Sequence, residues 1–79
     1  MTREAIFGKV VEYIQAQLPV DAGKIQESTR LVEDLGADSA NLMMLIMDLE
    51  TEFDLTVEDE VLSTIKTVGD IVTYIEAHV

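Results

Sequence analysis

The sequence predicts an all-α fold, a small four-helix bundle with a long first loop and a short third helix. Apolar residues recur every three to four positions in four segments. Capping residues and the single proline mark where these segments begin and end. No segment alternates apolar and polar residues as a half-buried strand would. At 79 residues the chain has the length of one domain, and we expect residues 1–79 to fold as a single unit.

The first helix begins after Thr2, whose hydroxyl can cap it. Pro19 ends this helix or follows its end closely, because proline has no amide proton and clashes with the preceding turn. A loop over residues 20–38 follows, and a loop this long is usually functional or packed by its own side chains. Four apolar residues are expected to hold the loop to the core: Ile25, Leu31, Val32 and Leu35.

The second helix runs from about Ser39 to Phe53. At 100° per residue its core face consists of Leu42, Leu45, Ile46, Leu49 and Phe53. Four apolar residues fall outside that face: Ala40, Met43, Met44 and Met47. They form a second apolar surface, the methionine strip, next to the acids Asp48, Glu50 and Glu52. We expect Met43 or Met47 to be partly buried as core filler and Met44 to be the most exposed. A flexible apolar strip rimmed with acids suits partners that have basic rims and apolar centres.

Two shorter segments complete the bundle. A weak third helix is expected over residues 57–63, anchored by Val61, Leu62 and Ile65. The last helix opens at Thr67, and Asp70 three residues later completes a variant of the capping box. Its buried face is formed by Val68, Ile71, Val72 and Ile75.

The charge is strongly acidic, with 16 acids against five bases and a net charge of −11. Such a surface repels nucleic acid and anionic membranes and attracts basic protein surfaces, although acidic surfaces also serve solubility. No segment approaches the roughly 20 apolar residues that cross a bilayer. The absence of cysteine excludes disulfides, zinc–thiolate sites and a thiol nucleophile. We expect a soluble cytoplasmic monomer that neither binds nucleic acid nor inserts into membranes.

Catalysis by the chain itself is not expected. The only histidine, His78, lies one residue from the C-terminus, so Ser39 has no evident general base. A metal site is not expected either, because the acids around Asp54 lack the central glycine of a calcium loop and Ile65 replaces its closing glutamate.

Ser39 has two interpretations from the residues alone. The pair Asp38-Ser39 suits a helix cap, which is worth about 1 kcal/mol. A helix N-terminus also favours an attached phosphodiester, because its free amides and positive dipole end attract negative charge.

Several segments together resemble the acyl carrier protein family along nearly the whole chain. They are L35-G-A-D-S39, L49-E-T-E-F53, V57-E-D-E60 and I65-K-T-V-G-D70. The resemblance implies a right-handed four-helix bundle that does not act as an enzyme. It also implies that a phosphopantetheinyl transferase attaches the 4′-phosphopantetheine of coenzyme A to Ser39. The terminal thiol of that group would carry acyl chains for acyl-transfer and chain-modifying enzymes of fatty-acid, specialised lipid or polyketide-type synthesis.

The resemblance also assigns two sets of residues. The acyl-chain pocket would be lined by Leu42, Ile46, Ile65 and Ile75. Partner enzymes would contact the second helix and its start through Asp38, Ala40, Asn41, Met43, Met44, Met47, Asp48, Glu50 and Glu52.

The chain departs from the family pattern at four of these positions. Ala40 and Asn41 replace a leucine and an acid, Met44 replaces a common recognition glutamate, and Met43 replaces an aliphatic residue. These changes favour a specialised carrier whose partners have a less basic, more apolar docking face. Drift within a general carrier is the alternative.

Two other functions stay open. An acidic interaction module without a prosthetic group would share the charge and the strip. An aminoacyl or peptidyl carrier fits less well, because this chain has Ala37 and Asp38 where such carriers tend to have a second glycine and a histidine.

Overall fold

The computed structural model describes residues 2–79 and confirms the all-α prediction. Its four α-helices are α1 (Arg3–Gln17), α2 (Ser39–Phe53), α3 (Asp59–Leu62) and α4 (Val68–His78). A short 3₁₀ helix over Ala22–Lys24, which the sequence did not predict, lies in the loop between α1 and α2. Three residues are too few to show a helical period. The described residues form no strand, only an isolated bridge between Arg30 and Thr67.

The helix starts are set by local side-chain caps. Thr2 accepts a hydrogen bond from the Ala5 amide at 3.1 Å, and α1 ends at Gln17, two residues before Pro19. At the start of α4, Thr67 Oγ1 accepts from the Asp70 amide at 3.2 Å and the Asp70 carboxylate accepts from the Thr67 amide at 3.1 Å. Both starts agree with the sequence prediction, because a capping residue acts within one turn of its own position.

Helix α1 lies at the centre of the bundle and packs against α4 and α2. The core is built from one face of each of these three helices. Its buried members include Ile6, Val10, Val11 and Ile14 of α1, Leu45, Ile46 and Leu49 of α2, and Val68, Ile71, Val72 and Ile75 of α4.

Helix α3 is one turn long, shorter than the predicted 57–63, and contributes no fully buried side chain. Val61 and Leu62 are half-buried against the core, while Ile65 just beyond the helix is buried. Side chains from neighbouring helices hold its approach: Glu50 accepts from the Val57 amide at 2.8 Å, and the Tyr74 hydroxyl donates to the Thr56 carbonyl at 2.8 Å.

The long loop is fixed to the start of α4 by backbone hydrogen bonds. The amides of Leu31, Val68 and Gly69 donate to the carbonyls of Lys66, Thr29 and Glu27, at 3.0, 3.0 and 2.8 Å. As predicted, Ile25 and Leu31 are buried and Leu35 is partly buried. The prediction for Val32 is wrong: this side chain is 56% exposed. Residues 31–35 form a turn, so only some of their side chains can face the core.

Candidate functional site

The start of α2 is capped without any contribution from Ser39. Asp38 Oδ1 accepts from the Asn41 amide at 2.8 Å, and Asn41 Oδ1 accepts from the Asp38 amide at 3.2 Å. These two side chains therefore form a reciprocal capping box. Asn41, which departs from the family pattern, has a structural role here. The cap interpretation of the sequence applies to Asp38 and not to Ser39.

Ser39 is the first residue of α2 and is exposed. Within residues 2–79 its hydroxyl forms no hydrogen bond, so it is free to react. The turn that leads to Ser39 is held in place by two features. Gly36 takes a left-handed conformation with φ +72°. The buried Ala37 donates a hydrogen bond from its amide to the Leu31 carbonyl at 3.0 Å. The first turn of α2 contains no acid, and its amides and dipole favour a phosphodiester at this position. Ser39 therefore fits a covalent phosphate-linked group.

The three methionines of the strip are nearly equally exposed, with 55% of Met43, 54% of Met44 and 59% of Met47 open to solvent. The prediction that Met43 or Met47 is partly buried and Met44 most exposed is therefore wrong. Helix α1 covers the core face of α2, and the single turn of α3 is too short to cover the opposite side. The strip is thus an exposed apolar surface on the same helix as Ser39.

The acids predicted to face partners on α2 are partly used inside the molecule. Glu52 accepts from the Tyr13 hydroxyl at 2.6 Å, and this hydrogen bond is the main reason that the pKa of Tyr13 is raised. Asp48 lies 3.5 Å from Gln17 Nε2, and Glu50 holds the Val57 amide. These contacts tie α2 to α1 and to the approach to α3. The sequence could not indicate them, because each partner lies outside α2.

Exposed acids also lie at α3, outside the predicted set. Glu58, Asp59 and Glu60 are exposed, and Asp59 borders the same surface cleft as Met43 and Met47. The run of acids at 58–60 was visible in the sequence. Its position beside the methionines depends on the fold.

Two surface openings share Leu62 of α3 as a lining residue. A groove of about 500 Å³ is lined by Arg30, Val32, Glu33, Leu42, Leu62, Ser63, Ile65 and Lys66. A smaller cleft of about 140 Å³, the methionine cleft, is lined by Met43, Ile46, Met47, Glu50, Val57, Asp59 and Leu62. The structure thus brings Leu42 and Ile65 together in the groove and places Ile46 in the cleft. Ile75 lines neither opening and is 2% exposed within the core.

His78 lies in the last turn of α4. His78 stacks on Tyr74, and its Nδ1 lies 2.7 Å from the Tyr74 carbonyl oxygen. Across residues 2–79, no three His, Asp or Glu side chains are grouped so that they could hold a metal ion. In the same part of the chain, no helix is both long and apolar enough to cross a membrane.

Comparison with known proteins identifies the class to which this fold and site belong. The family model described as the phosphopantetheine attachment site matches residues 8–75. An acyl carrier protein of Thermotoga maritima is 51% identical over 75 residues, which cover 95% of this chain and 93% of that protein. One from Exiguobacterium sibiricum is 44% identical over the full length of both chains. The solved structure of the acyl carrier protein from Enterococcus faecalis superposes with a TM-score of 0.85 at 34% identity, covering all of both chains.

The chain therefore belongs to the acyl carrier protein family. It is a carrier and not a catalyst, and its prosthetic group is covalently attached 4′-phosphopantetheine. Its cargo is an acyl thioester, and its partners are biosynthetic enzymes.

Proposed function

We propose that Ser39 is the residue that bears 4′-phosphopantetheine, and that a phosphopantetheinyl transferase places it there from coenzyme A. The observation that carries this proposal is that different residues at the start of α2 cap the helix and present a free hydroxyl. Asp38 and Asn41 satisfy the helix cap, while the neighbouring hydroxyl of Ser39 is exposed and without a hydrogen-bond partner in the described chain.

The bound group supplies a terminal thiol that holds an acyl chain as a thioester. The protein's own residues orient Ser39 and stabilise the negative charge of the phosphodiester. The free amides and dipole at the start of α2 favour the phosphodiester. The Gly36 turn and the buried Ala37 fix the direction in which Ser39 faces the solvent.

The acyl chain is held by the groove that contains Leu42 and Ile65. Leu42 lies one turn after Ser39 on α2, so the groove opens beside the attachment point. Ile46, in the methionine cleft, and Ile75, in the core, become accessible to the chain only if α3 moves or the core opens. Partial opening is reasonable for a bundle in which one element is a single turn.

Intact mass tests the attachment site. Apo protein is incubated with coenzyme A, magnesium and a broad-specificity phosphopantetheinyl transferase. We expect a gain of one phosphopantetheine in the wild type and none in Ser39→Ala. A Ser28→Ala variant, which removes another exposed serine of the loop, is the matched control and should be modified like the wild type. Modification that persists in Ser39→Ala would refute the assignment.

The same experiment separates a carrier from an interaction module, and the cargo separates one class of carrier from another. An acidic interaction module would keep its mass unchanged. An aminoacyl or peptidyl carrier would accept the group but would then be loaded by an adenylating enzyme and not by an acyl-transfer enzyme. The chemical form of the species carried by the protein from its native cell distinguishes a fatty acyl, a polyketide-type and an aminoacyl cargo.

Partner enzymes dock on α2 through its exposed start and the methionine strip. The surface consists of Asp38, Ala40, Asn41, Met43, Met44, Met47, Asp48, Glu50 and Glu52. Since Asp48, Glu50 and Glu52 also make internal contacts, apolar contact at the strip has a larger share in docking than the sequence suggested. This balance supports a specialised carrier whose partners have apolar docking faces.

A triple reversion tests the specialised role. Ala40→Leu, Asn41→Asp and Met44→Glu together restore the common pattern, and aspartate at 41 can still accept from the Asp38 amide. We expect the variant to become a better substrate of a standard fatty-acid synthesis enzyme. Unchanged turnover would instead support drift within a general carrier. The cytoplasmic location and the monomeric state stay predictions, to be checked by cell fractionation and by light scattering.

A further inference from the structure

The methionine cleft has an apolar wall and an acidic rim. Met43 and Met47 form part of its wall, although more than half of each side chain is open to solvent. Ile46, Val57 and Leu62 complete the apolar lining, and the carboxylates of Glu50 and Asp59 border it. Met44 is exposed to the same extent but does not line the cleft.

Exposed methionine sulfur is readily oxidised by peroxides to the sulfoxide. In that reaction the peroxide O–O bond breaks and a sulfur–oxygen bond forms. The sulfur loses two electrons, and the peroxide is reduced to water, or to an alcohol if it is an alkyl peroxide. The chain contains no cysteine, so the methionines are the only oxidisable sulfur in its own side chains.

The sulfoxide would change the cleft more than the rest of the strip. It replaces a flexible apolar group by a strong hydrogen-bond acceptor. The two acids at the rim are themselves acceptors when ionised and cannot donate a hydrogen bond to the sulfoxide oxygen. A partner side chain that fills the cleft would therefore bury an unpaired polar atom, which disfavours docking.

We infer that Met43 and Met47 form a peroxide-sensitive modification site, at which conversion to the sulfoxide weakens docking of partners that place an apolar side chain in the methionine cleft, the phosphopantetheinyl transferase among them. The effect on docking rests on the proposed carrier function, whereas the oxidation itself does not. The two types of methionine sulfoxide reductase together would reverse the change, because each type reduces one of the two sulfoxide epimers.

The test uses the apo protein, hydrogen peroxide and a broad-specificity phosphopantetheinyl transferase. Peptide mass mapping locates the sulfoxides, circular dichroism checks that the helices persist, and the KM of the transferase for the carrier measures docking. Three proteins are compared: the wild type, Met44→Leu, and the double variant Met43→Leu/Met47→Leu. Leucine conserves volume and is not oxidised. Each protein is compared with its own untreated sample, so oxidation at Met1, which all three share, cancels.

We expect oxidation at Met43 and Met47 and a rise in KM of roughly tenfold, equivalent to about 1.4 kcal/mol of docking free energy. Met44→Leu should keep most of this rise and the double variant only a small part of it, because Met44 belongs to the docking surface but lies outside the cleft. Treatment with both reductases should restore the original KM. Peroxide-resistant Met43 and Met47, an unchanged KM after their oxidation, or an equal rise in the double variant would overturn the inference. If the untreated wild type fails to gain the prosthetic group, the proposed function fails, and the peptide map still decides the oxidation site.

Discussion

The Glu27 carbonyl oxygen accepts a hydrogen bond from the Gly69 amide at 2.8 Å and leaves no room for a side chain there. A Cβ atom on Gly69 would lie 2.9 Å from that oxygen. The Glu27 side chain is itself held by the Arg3 guanidinium, whose hydrogen bond lowers the pKa of the carboxyl. The loop that leads to Ser39 is therefore fastened to the start of α4 at a contact that only glycine permits.

Gly69→Ala should destabilise the fold, because the methyl group must push the Glu27 backbone away. We expect a loss of about 1–3 kcal/mol, typical of overpacking. Gly8→Ala is the matched control, since Gly8 lies within α1 and its Cβ would meet nothing within 4 Å. That variant should gain about 0.5–1 kcal/mol from the higher helix propensity of alanine. Urea unfolding of both measures the difference, and equal stabilities would contradict the close contact.

Asp38→Ala and Ser39→Ala should separate capping from attachment. Removing Asp38 breaks the capping box and should cost about 1 kcal/mol in the free energy of unfolding. Removing the Ser39 hydroxyl breaks no hydrogen bond within residues 2–79, so the stability should stay within about 0.5 kcal/mol of the wild type while phosphopantetheine attachment is lost. Thermal unfolding of the two apo variants provides the comparison. A Ser39→Ala variant as unstable as Asp38→Ala would show that the serine has a capping role after all.

The Asp70 carboxylate should contribute stability that disappears in acid. Hydrogen bonds from the Lys66 and Thr67 amides hold the pKa of Asp70 below its ordinary value of 3.8. A group whose pKa is lowered by folding stabilises the protein above its ordinary pKa, and this contribution is lost as the pH falls through the folded value.

Asp70→Asn should therefore be less stable than the wild type at neutral pH, and the difference should shrink below pH 3.8. Loss of general charge repulsion in acid affects both proteins and cancels in the difference. Asp21→Asn is the control, because Asp21 makes no side-chain cap at its 3₁₀ helix. Urea titrations at several pH values measure the effect, and a gap between Asp70→Asn and wild type that stays constant with pH would contradict it.

Salt should stabilise the protein, because a net charge of −11 on 79 residues repels itself. Screening becomes effective once the Debye length falls to about 10 Å, near 0.1 M salt. We expect the melting temperature to rise by several degrees, since 1 kcal/mol corresponds to about 4–8 °C in a domain of this size. Magnesium should act at lower concentration than sodium. A melting temperature insensitive to both ions would show that self-repulsion is unimportant.

Asp54→Asn should also stabilise the protein. Asp54 ends α2 in the left-handed conformation, with φ 53°, and puts a negative charge at the negative end of the helix dipole. Asparagine tolerates that conformation and removes the charge, so we expect a gain of about 0.3–1 kcal/mol. Glu4→Gln, at the favourable first turn of α1, should change stability in the opposite direction. Both changes should diminish in high salt, and two changes of the same sign would argue against a dipole effect.

The sequence was sufficient for the features that depend on neighbours along the chain. Thr2, Thr67 and Asp70 cap within one turn, and the periodicity of α1, α2 and α4 marks the faces that are buried. The fold class and the starts of the three long helices could be predicted for that reason.

The exposure of side chains opposite the core could not be predicted in the same way. Whether Met43 and Met47 are covered depends on the length of α3, and the direction of Val32 depends on a turn in the loop. Glu50 and Glu52 resembled docking charges because their partners, the Val57 amide and the Tyr13 hydroxyl, are distant in sequence or belong to another element. The separation of Ser39 from the cap required the geometry of Asp38 and Asn41.

Leu62 of α3 lines both the groove and the methionine cleft. The two openings therefore share one wall, which is held at its approach by the hydrogen bonds that Glu50 accepts and Tyr74 donates. A larger or smaller side chain at position 62 would change the width of both openings at once.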